Sequence, residues 1–316
     1  MPTSTSAEPV LMTMGEPAGI GPEVAVAAYR ALGGAVGAHK LLLVGTPEVF
    51  AGCGDVPAGA IVPTGARARR TPARPDSRNA EATIEAITLA VTMAMKGAAA
   101  AVVTAPISKS VLLQTGFRFP GHTGYLAHLT GAPRAVMMLA GQAVRVVPLT
   151  VHVALSEVPK LVSREAILET AEITLAALRR DFGIAAPRLA VAGLNPHAGE
   201  DGALGREEIE TIKPAVQELA RRGHAVLGPL PSDTMFHAEA RSRYDAALCM
   251  YHDQALIPMK TLSFWDGVNV TLGLPIVRTS PDHGTAFEIA GTGKADARSM
   301  IAAVRLAADM ADARAG

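Results

Sequence analysis

Three histidines stand where apolar runs of the sequence end, and their chemistry is that of metal ligands. They are His152, His197 and His252. In open α/β sheets the ligand crevice lies beyond the carboxyl ends of the strands, so these imidazoles can converge there. Three imidazoles that leave one coordination position open are typical of a catalytic divalent-metal site. Their separations, 45 and 55 residues (197−152 and 252−197), form no local signature, so hydrogen-bonded structural roles stay open as the alternative.

Several polar side chains interrupt apolar or turn-rich segments further along the chain. Asp233 lies in GPLPSDTMF, Lys260 in YHDQALIPMK, and Asn269 and Arg278 in GVNVTLGLPIVRTS. An arginine fork and a lysine point charge together can bind an anionic substrate. Surface solubility is the alternative interpretation. Asn269 argues against it, because an unpaired amide within an apolar run is costly.

Two glycine-bearing segments could contact a ligand. The first, MTMGEPAGIGPE, follows a predicted strand and leads into a helix, with Pro22 suited to the first helical position. A dinucleotide fingerprint that starts at Gly19 requires glycine at position 24, which is Val24, so this motif fails. A tight turn and a ligand-contacting turn both stay open. The second segment, Ser280–Lys294, is on its own a long loop whose glycines permit close backbone approach.

The elements that must position these residues alternate along the chain. Helices are predicted over Asn79–Lys96 with Ser77 as the N-cap, over Glu165–Arg180 after Ser163, and over Arg206–Arg222. Strands separated by such helices predict βαβ units and a largely parallel sheet of the α/β class. The predicted strands are Val10–Met14, Lys40–Val44, Ala99–Val103, Ala135–Ala140, Val144–Thr150, Arg188–Gly193 and Ala246–Tyr251.

The composition excludes several classes of protein. The 316 residues are 49% hydrophobic and 18% charged, with 29 basic and 29 acidic side chains, so the chain can bury a core and lacks the basic surplus of a nucleic-acid binder. No apolar run approaches the ~18–20 residues of a membrane span. Cys53 and Cys249 match no metal or redox spacing, and no secretory signal begins the chain. We therefore expect a cytoplasmic protein.

Seven segments together identify a family resemblance. In chain order they are MGEPAGIGPE, TAPISK, PGHTGYLA, NPHAGE, GPLPSDTMF, YHDQALIPMK and GVNVTLGLPIVRTSPDHGTAFEIAGTG. They resemble the 4-hydroxythreonine-4-phosphate dehydrogenases of pyridoxal phosphate biosynthesis. The resemblance implies an α/β/α sandwich similar to isocitrate and isopropylmalate dehydrogenases, which bind NAD without the fingerprint. It also implies two lobes, residues 1–121 with 279–316 and residues 122–278, with the active site in the cleft between them.

The resemblance also implies roles for individual residues. The three histidines are expected to bind the metal at a site shared by two subunits of a homodimer, with His252 completing a site that His152 and His197 of the other subunit begin. The expected substrate contacts are His122, Thr123, Lys260, Asn269 and Arg278, with Asp233 as a further active-site carboxylate. The HGTAFEIAG loop is similar to the adenosine-binding loop of isopropylmalate dehydrogenases, which makes His283, Gly284, Thr285 and Glu288 the cofactor candidates.

The reaction expected from this resemblance is an oxidation followed by decarboxylation. A hydride passes from the substrate's secondary alcohol to NAD, or NADP, while one divalent ion, Zn²⁺, Mg²⁺ or Co²⁺, polarises the oxygen. The product ketone lies β to the carboxylate, so loss of carbon dioxide gives 3-amino-2-oxopropyl phosphate. Lys260 or Asp233 is expected to move the protons.

Two departures from the family pattern bear on specificity. Gly124 stands where the family has a glutamate after the His-Thr pair, and Glu288 stands where it has an aspartate. Gly124 leaves open a relative that oxidises 4-phosphoerythronate, phosphothreonate or a dihydrodiol carboxylate, and Glu288 leaves open the choice between NAD and NADP. Two alternatives come from other classes, namely a metal-dependent phosphohydrolase and a catalytically silent metabolite- or metal-binding protein. Neither of them involves hydride transfer.

Overall fold

A computed structural model describes residues 7–119 and 121–316. Its contacts divide the chain into two compact units, Met1–Ala135 with Val268–Gly316, and Val136–Gly267. The lobe boundaries predicted at 121/122 and 278/279 differ from these by 14 and 11 residues (135−121 and 278−267). His122, Thr123, Asn269 and Arg278 therefore belong to the first unit. Pro120, the first residue of the PGHTGYLA segment, lies outside the described residues.

Strands and helices alternate along both units. The strands are β1 (Ala7–Thr13), β2 (Ala35–Val36), β3 (His39–Gly45), β4 (Ile61–Pro63), β5 (Ala101–Val103), β6 (Val136–Ala140), β7 (Arg145–Pro148), β8 (Arg188–Ala192), β9 (Ala225–Leu230), β10 (Ala246–Cys249), β11 (Val268–Leu272) and β12 (Val277–Pro281). The α-helices are α1 (Gly21–Ala31), α2 (Pro47–Ala51), α3 (Ala80–Met95), α4 (Lys109–Leu113), α5 (His122–Thr130), α6 (Val158–Leu161), α7 (Arg164–Arg180), α8 (Lys213–Arg221), α9 (Ala238–Arg241), α10 (His252–Leu262) and α11 (Arg298–Ala315).

The sheet of each unit is mainly parallel. In the first unit the strand order is β2-β3-β1-β5-β12-β11, with β4 paired to β3, and the pairs β2/β3 and β11/β12 are antiparallel. In the second unit the order is β6-β7-β10-β8-β9, and only the described pair β6/β7 is antiparallel. The predicted α/β class is therefore confirmed. Within the described residues, no helix is both long enough and apolar enough to cross a membrane.

Small aliphatic side chains build the cores, as the low aromatic content requires. In the second unit one buried cluster surrounds β10 and its neighbours and includes Leu139, Val146, Ala190, Cys249 and Met259. Burial raises the pKa of the Cys249 thiol well above its ordinary value, which agrees with a purely structural cysteine. This packing fixes the strand ends that carry the candidate ligands.

The local predictions are confirmed at some element ends and wrong at others. Ser163 caps α7 through a bond from the Ala166 N–H to its hydroxyl (3.1 Å). Ser77 does not cap α3; it opens a 3₁₀ turn, capped by the Asp76 carboxylate, that runs into the helix. The predicted helix over Arg206–Arg222 begins as a π-helical turn, Glu208–Ile212, before α8. Strands β2, β4, β9, β11 and β12 were not predicted.

Candidate active site

Parallel pairing of β7 and β10 carries two of the histidines to the same edge of the second unit's sheet. The register continues beyond both strands, since the Leu149 N–H bonds to the Cys249 carbonyl (2.8 Å) and the Thr150 hydroxyl bonds to the Met250 carbonyl (2.8 Å). His152 and His252 each follow two residues after these last contacts. The sequence spacing of one hundred residues therefore becomes a side-by-side placement.

The His152 and His252 rings lie with centroids 5.6 Å apart in one chain. The two imidazoles of one chain therefore lie at neighbouring strand ends, after β7 and β10. His252 Nδ1 lies 2.7 Å from the Asp253 carboxylate, which leaves Nε2 available. A carboxylate behind a ligating imidazole fixes its tautomer and orientation.

His197 lies on the turn that follows β8, the neighbour of β10 on its other side. His197, Ala198, Glu200 and Asp201 all have φ between 42 and 53°, and Gly199 has φ 83°. Left-handed backbone costs roughly 1–2 kcal/mol at each non-glycine residue, so the surroundings must hold this turn in place.

A buried amide ties the His197 turn to the start of α10. Gln254 Nε2 donates to the Gly193 carbonyl (2.7 Å), and Gln254 Oε1 accepts from the Met250 N–H (2.6 Å). This amide fixes the end of β8 against the residues before His252. Across residues 7–119 and 121–316, no group of three or more His, Cys, Asp or Glu side chains lies close enough to hold a metal ion. The three-histidine ligand set stays a prediction.

Lys260 and Asp233 are also held by the second unit. Lys260 is half-buried on α10, eight residues after His252 and so ~12 Å further along the helix axis. Its ammonium lies 5.6 Å from the ring centroid of Phe264. Asp233 is exposed on the turn after β9. Both groups thus belong to the same unit as the three histidines.

Arg278 is the central feature of the first unit. It lies on β12 and is buried, at 2% exposure. Its guanidinium donates to the hydroxyls of Thr104 and Thr271 (2.8 Å for Thr271) and to Asn269 Oδ1 (3.4 Å). In the described part of the chain these partners are all neutral oxygens. Burial lowers the pKa of Arg278 to about 9, so the group is still a cation at neutral pH. A buried cation without a counter-charge is costly and suits an anionic ligand.

His122 and Lys109 lie beside this guanidinium. His122 begins α5, and its Nε2 atom is buried without a hydrogen-bond partner among the described residues. Burial, together with the charges of Arg278 and Lys109, holds the pKa of His122 well below its ordinary value. The imidazole is therefore neutral and can accept or donate one hydrogen bond. Thr123 is the next residue of α5. The structure thus brings His122, Arg278 and Asn269 together, as a shared anion site requires.

Lys109 is a site residue to which the sequence analysis assigned no role. A Cβ built on Gly121 would lie 3.0 Å from Lys109 Cε and 3.6 Å from Nζ, so glycine leaves room for the lysine stem beside His122. Lys109 stands in TAPISK, shortly after β5 ends. The strand-end rule that selected the histidines would have found it too.

The cofactor candidates lie on a loop that packs against the N-terminal turn of the same unit. The Ile20 N–H donates to the Thr285 carbonyl (2.9 Å), and a Cβ on Gly19 would lie 2.7 Å from that oxygen. Gly19 therefore serves close packing of two loops. His283 Nε2 is buried without a partner within the described residues, whereas Gly284 and Glu288 are exposed.

A buried ion pair fastens the far end of this loop. Glu23 Oε1 accepts from the Arg70 guanidinium (2.5 Å) and from the Gly291 N–H (2.7 Å). The two charged side chains are only 15% and 7% exposed. Arg70 also donates to the Pro17 carbonyl (3.0 Å). The loop is therefore held at both ends.

Comparisons with known proteins show the family to which the chain belongs. A model of the PdxA family, pyridoxal phosphate biosynthetic protein PdxA, matches residues 46–307. A 4-hydroxythreonine-4-phosphate dehydrogenase from Roseobacter denitrificans is 54% identical over 324 aligned residues, which cover 98% of each chain. The chain belongs to the PdxA family. The predicted family is confirmed, and so is the predicted class, an oxidoreductase of pyridoxal phosphate biosynthesis.

Solved structures of PdxA-like proteins show the same fold. A 4-hydroxythreonine-4-phosphate dehydrogenase from Klebsiella pneumoniae superposes with a TM-score of 0.85 at 36% identity, over 96% of this chain and 100% of that one. A terephthalate 1,2-cis-dihydrodiol dehydrogenase from Burkholderia xenovorans superposes with a TM-score of 0.68 at 28% identity, over 95% and 97% of the two chains. Membership of the PdxA family implies NAD as the class of cofactor.

Proposed function

We propose that this oxidoreductase converts 4-hydroxythreonine 4-phosphate to 3-amino-2-oxopropyl phosphate and carbon dioxide, with NAD⁺ as the hydride acceptor. The observation that carries the proposal is the buried Arg278, which contacts no counter-charge among the described residues. It lies beside His122 Nε2, which has no hydrogen-bond partner among those residues, and Lys109 lies next to His122. A phosphate dianion supplies the missing negative charge and the missing hydrogen-bond partner together. Thr123 and Asn269 complete the contacts to the substrate.

His152, His197 and His252 would hold the metal ion. The three histidines follow β7, β8 and β10, which are neighbours in the second unit's sheet, and this placement supports a site at that edge. Imidazole donors suit Zn²⁺ or Co²⁺, whereas Mg²⁺ prefers oxygen ligands, so the donor set favours the first two ions. When bound, such an ion acts as a Lewis acid toward the substrate's hydroxyl and ketone oxygens.

The remaining residues bind and orient the substrate. The phosphate contacts fix one end of the substrate, which restricts the position of the carbon that loses hydride. Lys260 Nζ and the Asp233 carboxylate are the groups proposed to take the hydroxyl proton and to return a proton to the carbon that loses carbon dioxide. The loop with His283, Gly284, Thr285 and Glu288 would bind the adenosine half of NAD. Its attachment at both ends supports a preformed site.

A homodimer is part of the proposal, with each metal site shared by two subunits. Large apolar side chains of the second unit are exposed, among them Leu155 (67%), Ile257 (64%), Phe264 (58%) and Trp265 (53%). Phe264 and Trp265 pack against each other, with ring centroids 5.0 Å apart, and a contiguous exposed apolar patch supports an association surface. Ile257, Phe264 and Trp265 lie on or directly after α10, the helix that carries His252 and Lys260. A second copy on this surface would lie close to both groups.

The direct experiment mixes the purified protein with Zn²⁺ or Co²⁺, NAD⁺ and 4-hydroxythreonine 4-phosphate and follows NADH absorbance. Equimolar NADH and carbon dioxide are expected, and NADP⁺ in place of NAD⁺ measures the cofactor preference. If NADH forms only with 4-phosphoerythronate or phosphothreonate, that compound is the substrate instead. Phosphate release without NAD⁺ would indicate a phosphohydrolase.

The similarity to the dihydrodiol dehydrogenase supports one further substrate class for this assay. A cyclic dihydrodiol carboxylate also carries a secondary hydroxyl and an anionic group, and Gly124 leaves out the family's glutamate beside the His-Thr pair. It should be oxidised far more slowly than the phosphate ester, because one carboxylate offers fewer oxygens than a phosphate to Arg278, His122 and Lys109. A faster rate with the dihydrodiol would favour that assignment.

A further inference from the structure

A buried carboxylate stands behind the left-handed turn that carries His197. Glu208 is 3% exposed and lies on the π-helical turn, eleven residues after the histidine (208−197). Its Oε1 accepts from the Leu194 N–H (2.7 Å) and the Asn195 N–H (2.8 Å), and its Oε2 accepts from Asn195 Nδ2 (3.0 Å). The two residues that lead into the turn are thus fixed by one side chain.

The surrounding glycines are arranged to admit this carboxylate. A Cβ on Gly199 would lie 2.6 Å from Glu208 Oε2, and a Cβ on Gly193 would lie 3.1 Å from Oε1. Gly193 is also the residue whose carbonyl accepts from Gln254. Alanine at Gly199 would displace the carboxylate from the turn. The segment is therefore built around Glu208.

Among the described residues, no cationic side chain donates a hydrogen bond to the Glu208 carboxylate. In residues 7–119 and 121–316, every donor given to its oxygens is an amide N–H. Burying a carboxylate with neutral donors alone is unfavourable compared with an apolar residue of the same size. Pairing with a cation therefore does not explain the carboxylate. Its three hydrogen bonds all go to Leu194 and Asn195, the residues that lead into the His197 turn.

We propose that Glu208 is a positioning residue that holds the left-handed turn and so aims the His197 imidazole at the edge of the sheet that His152 and His252 share. The inference rests on the proposed role of His197 as a metal ligand. Neighbours that orient a ligating histidine typically change metal affinity by ~10–100-fold when they are removed. Loss of Glu208 should therefore weaken metal binding while the fold persists.

The test uses Glu208→Gln, which keeps the side-chain volume. An amide oxygen at Oε1 still accepts both backbone bonds, but the amide nitrogen then faces the Asn195 Nδ2 donor. Glu210→Gln is the matched control, because Glu210 is exposed on the same turn and its carboxylate pairs with exposed Arg206. Co²⁺ affinity is measured from the visible absorption of the bound ion, with circular dichroism to verify folding. We expect the Co²⁺ Kd to rise at least tenfold in E208Q and to stay unchanged in E210Q.

A double-mutant cycle separates this inference from the proposed metal site. His197→Ala alone should weaken Co²⁺ binding, and an unchanged affinity there would refute the ligand assignment itself. Glu208→Gln should cause no further loss in the H197A background. Equal losses with and without His197, or wild-type affinity in E208Q, would overturn the positioning role.

A rescue experiment tests the turn directly. Ala198→Gly removes the side chain that is strained at φ 51°, so it should restore part of the Co²⁺ affinity of E208Q. No rescue would mean that the turn's conformation is not what Glu208 controls. If E208Q does not fold, Asn195→Ala replaces it, because that change keeps both backbone bonds to Glu208 Oε1 and removes the amide whose Nδ2 donates to Glu208 Oε2 and to Glu207 Oε2. Its Co²⁺ Kd should rise in the wild-type background and stay constant in H197A, and the opposite pattern would overturn the proposal.

Discussion

Methionine in place of each of two buried arginines should have different consequences for stability. Arg70 is balanced by the Glu23 carboxylate at 2.5 Å, whereas Arg278 contacts only neutral oxygens within the described residues. Arg70→Met leaves the half-buried Glu23 carboxylate with the Gly291 N–H as its donor but without its counter-charge, and breaking such a pair costs at most about 3–5 kcal/mol. Arg278→Met instead removes a charge that no hydrogen-bond partner among the described residues neutralises.

The magnitude for Arg278 follows from its pKa. The fall from 12.5 to about 9 corresponds to about 5 kcal/mol of unfavourable burial, since one pH unit is 1.36 kcal/mol. Against this gain, the hydroxyls of Thr104 and Thr271 lose a partner, at about 1–3 kcal/mol each. The two effects offset, so we expect the free energy of unfolding of R278M to stay within ~2 kcal/mol of the wild type.

Urea denaturation followed by circular dichroism measures both variants, and inorganic phosphate is then added as a probe of the anion site. At a hundredfold excess over its Kd, phosphate should stabilise the wild type by ~2.7 kcal/mol. Phosphate should not stabilise R278M in this way. R70M should be less stable than the wild type, but phosphate should raise its free energy of unfolding by the same amount. A loss of stability in R278M as large as in R70M would show that Arg278 is a structural cation and would refute the reasoning.

Three further predictions concern the histidines and the cofactor loop. The pKa of His122 in the folded protein lies well below the ordinary 6.5. Its contribution to stability is therefore present above pH 6.5 and lost as the pH falls. Between pH 7 and 5.5, the free energy of unfolding in urea should fall by about 1 kcal/mol more in the wild type than in His122→Asn. Dimers that combine His152→Ala with His252→Ala subunits should regain one intact metal site, and therefore dehydrogenase activity, when the two chains are co-expressed. Glu23→Gln should raise the KM for NAD about tenfold with little change in the KM for substrate, because a bond to a charged group is worth ~1.5–3 kcal/mol.

Each of these predictions has a result that contradicts it. An identical pH dependence in H122N would mean that His122 titrates normally in the folded protein. Mixed dimers that stay inactive would place the metal site within one chain, as the contact between the two rings allows. Glu48→Gln is the control for the cofactor loop, since Glu48 is exposed and 4.0 Å from an exposed arginine. An equal rise in the NAD KM of E48Q would remove the special role of Glu23.

The sequence predicts those parts of the fold that local chemistry decides. Helix α7 begins after Ser163 because a serine hydroxyl can accept from the first helical turn, and that signal needs no tertiary information. Strands β11 and β12 could not be predicted in the same way. They carry Asn269 and Arg278 among apolar residues, and a polar side chain within an apolar run is interpretable only once its neighbour is known. Pairing of Asn269 with Ser280 across the two strands supplies that neighbour.

The candidate site likewise contains positions that the sequence predicts and positions that it does not. Strand ends are readable from sequence, and they were sufficient to place His152 and His252 at one edge of the sheet. The left-handed run from His197 to Asp201 is not readable in this way, because neither alanine nor glutamate favours that conformation and Gly199 alone within the run adopts it easily. A carboxylate eleven residues away holds the entry to that turn. The backbone conformation of this turn is therefore set by a buried group that is distant in sequence, against the local preferences of its residues. Strained turns beside buried carboxylates that bond only to neutral donors should mark similar positions in other chains.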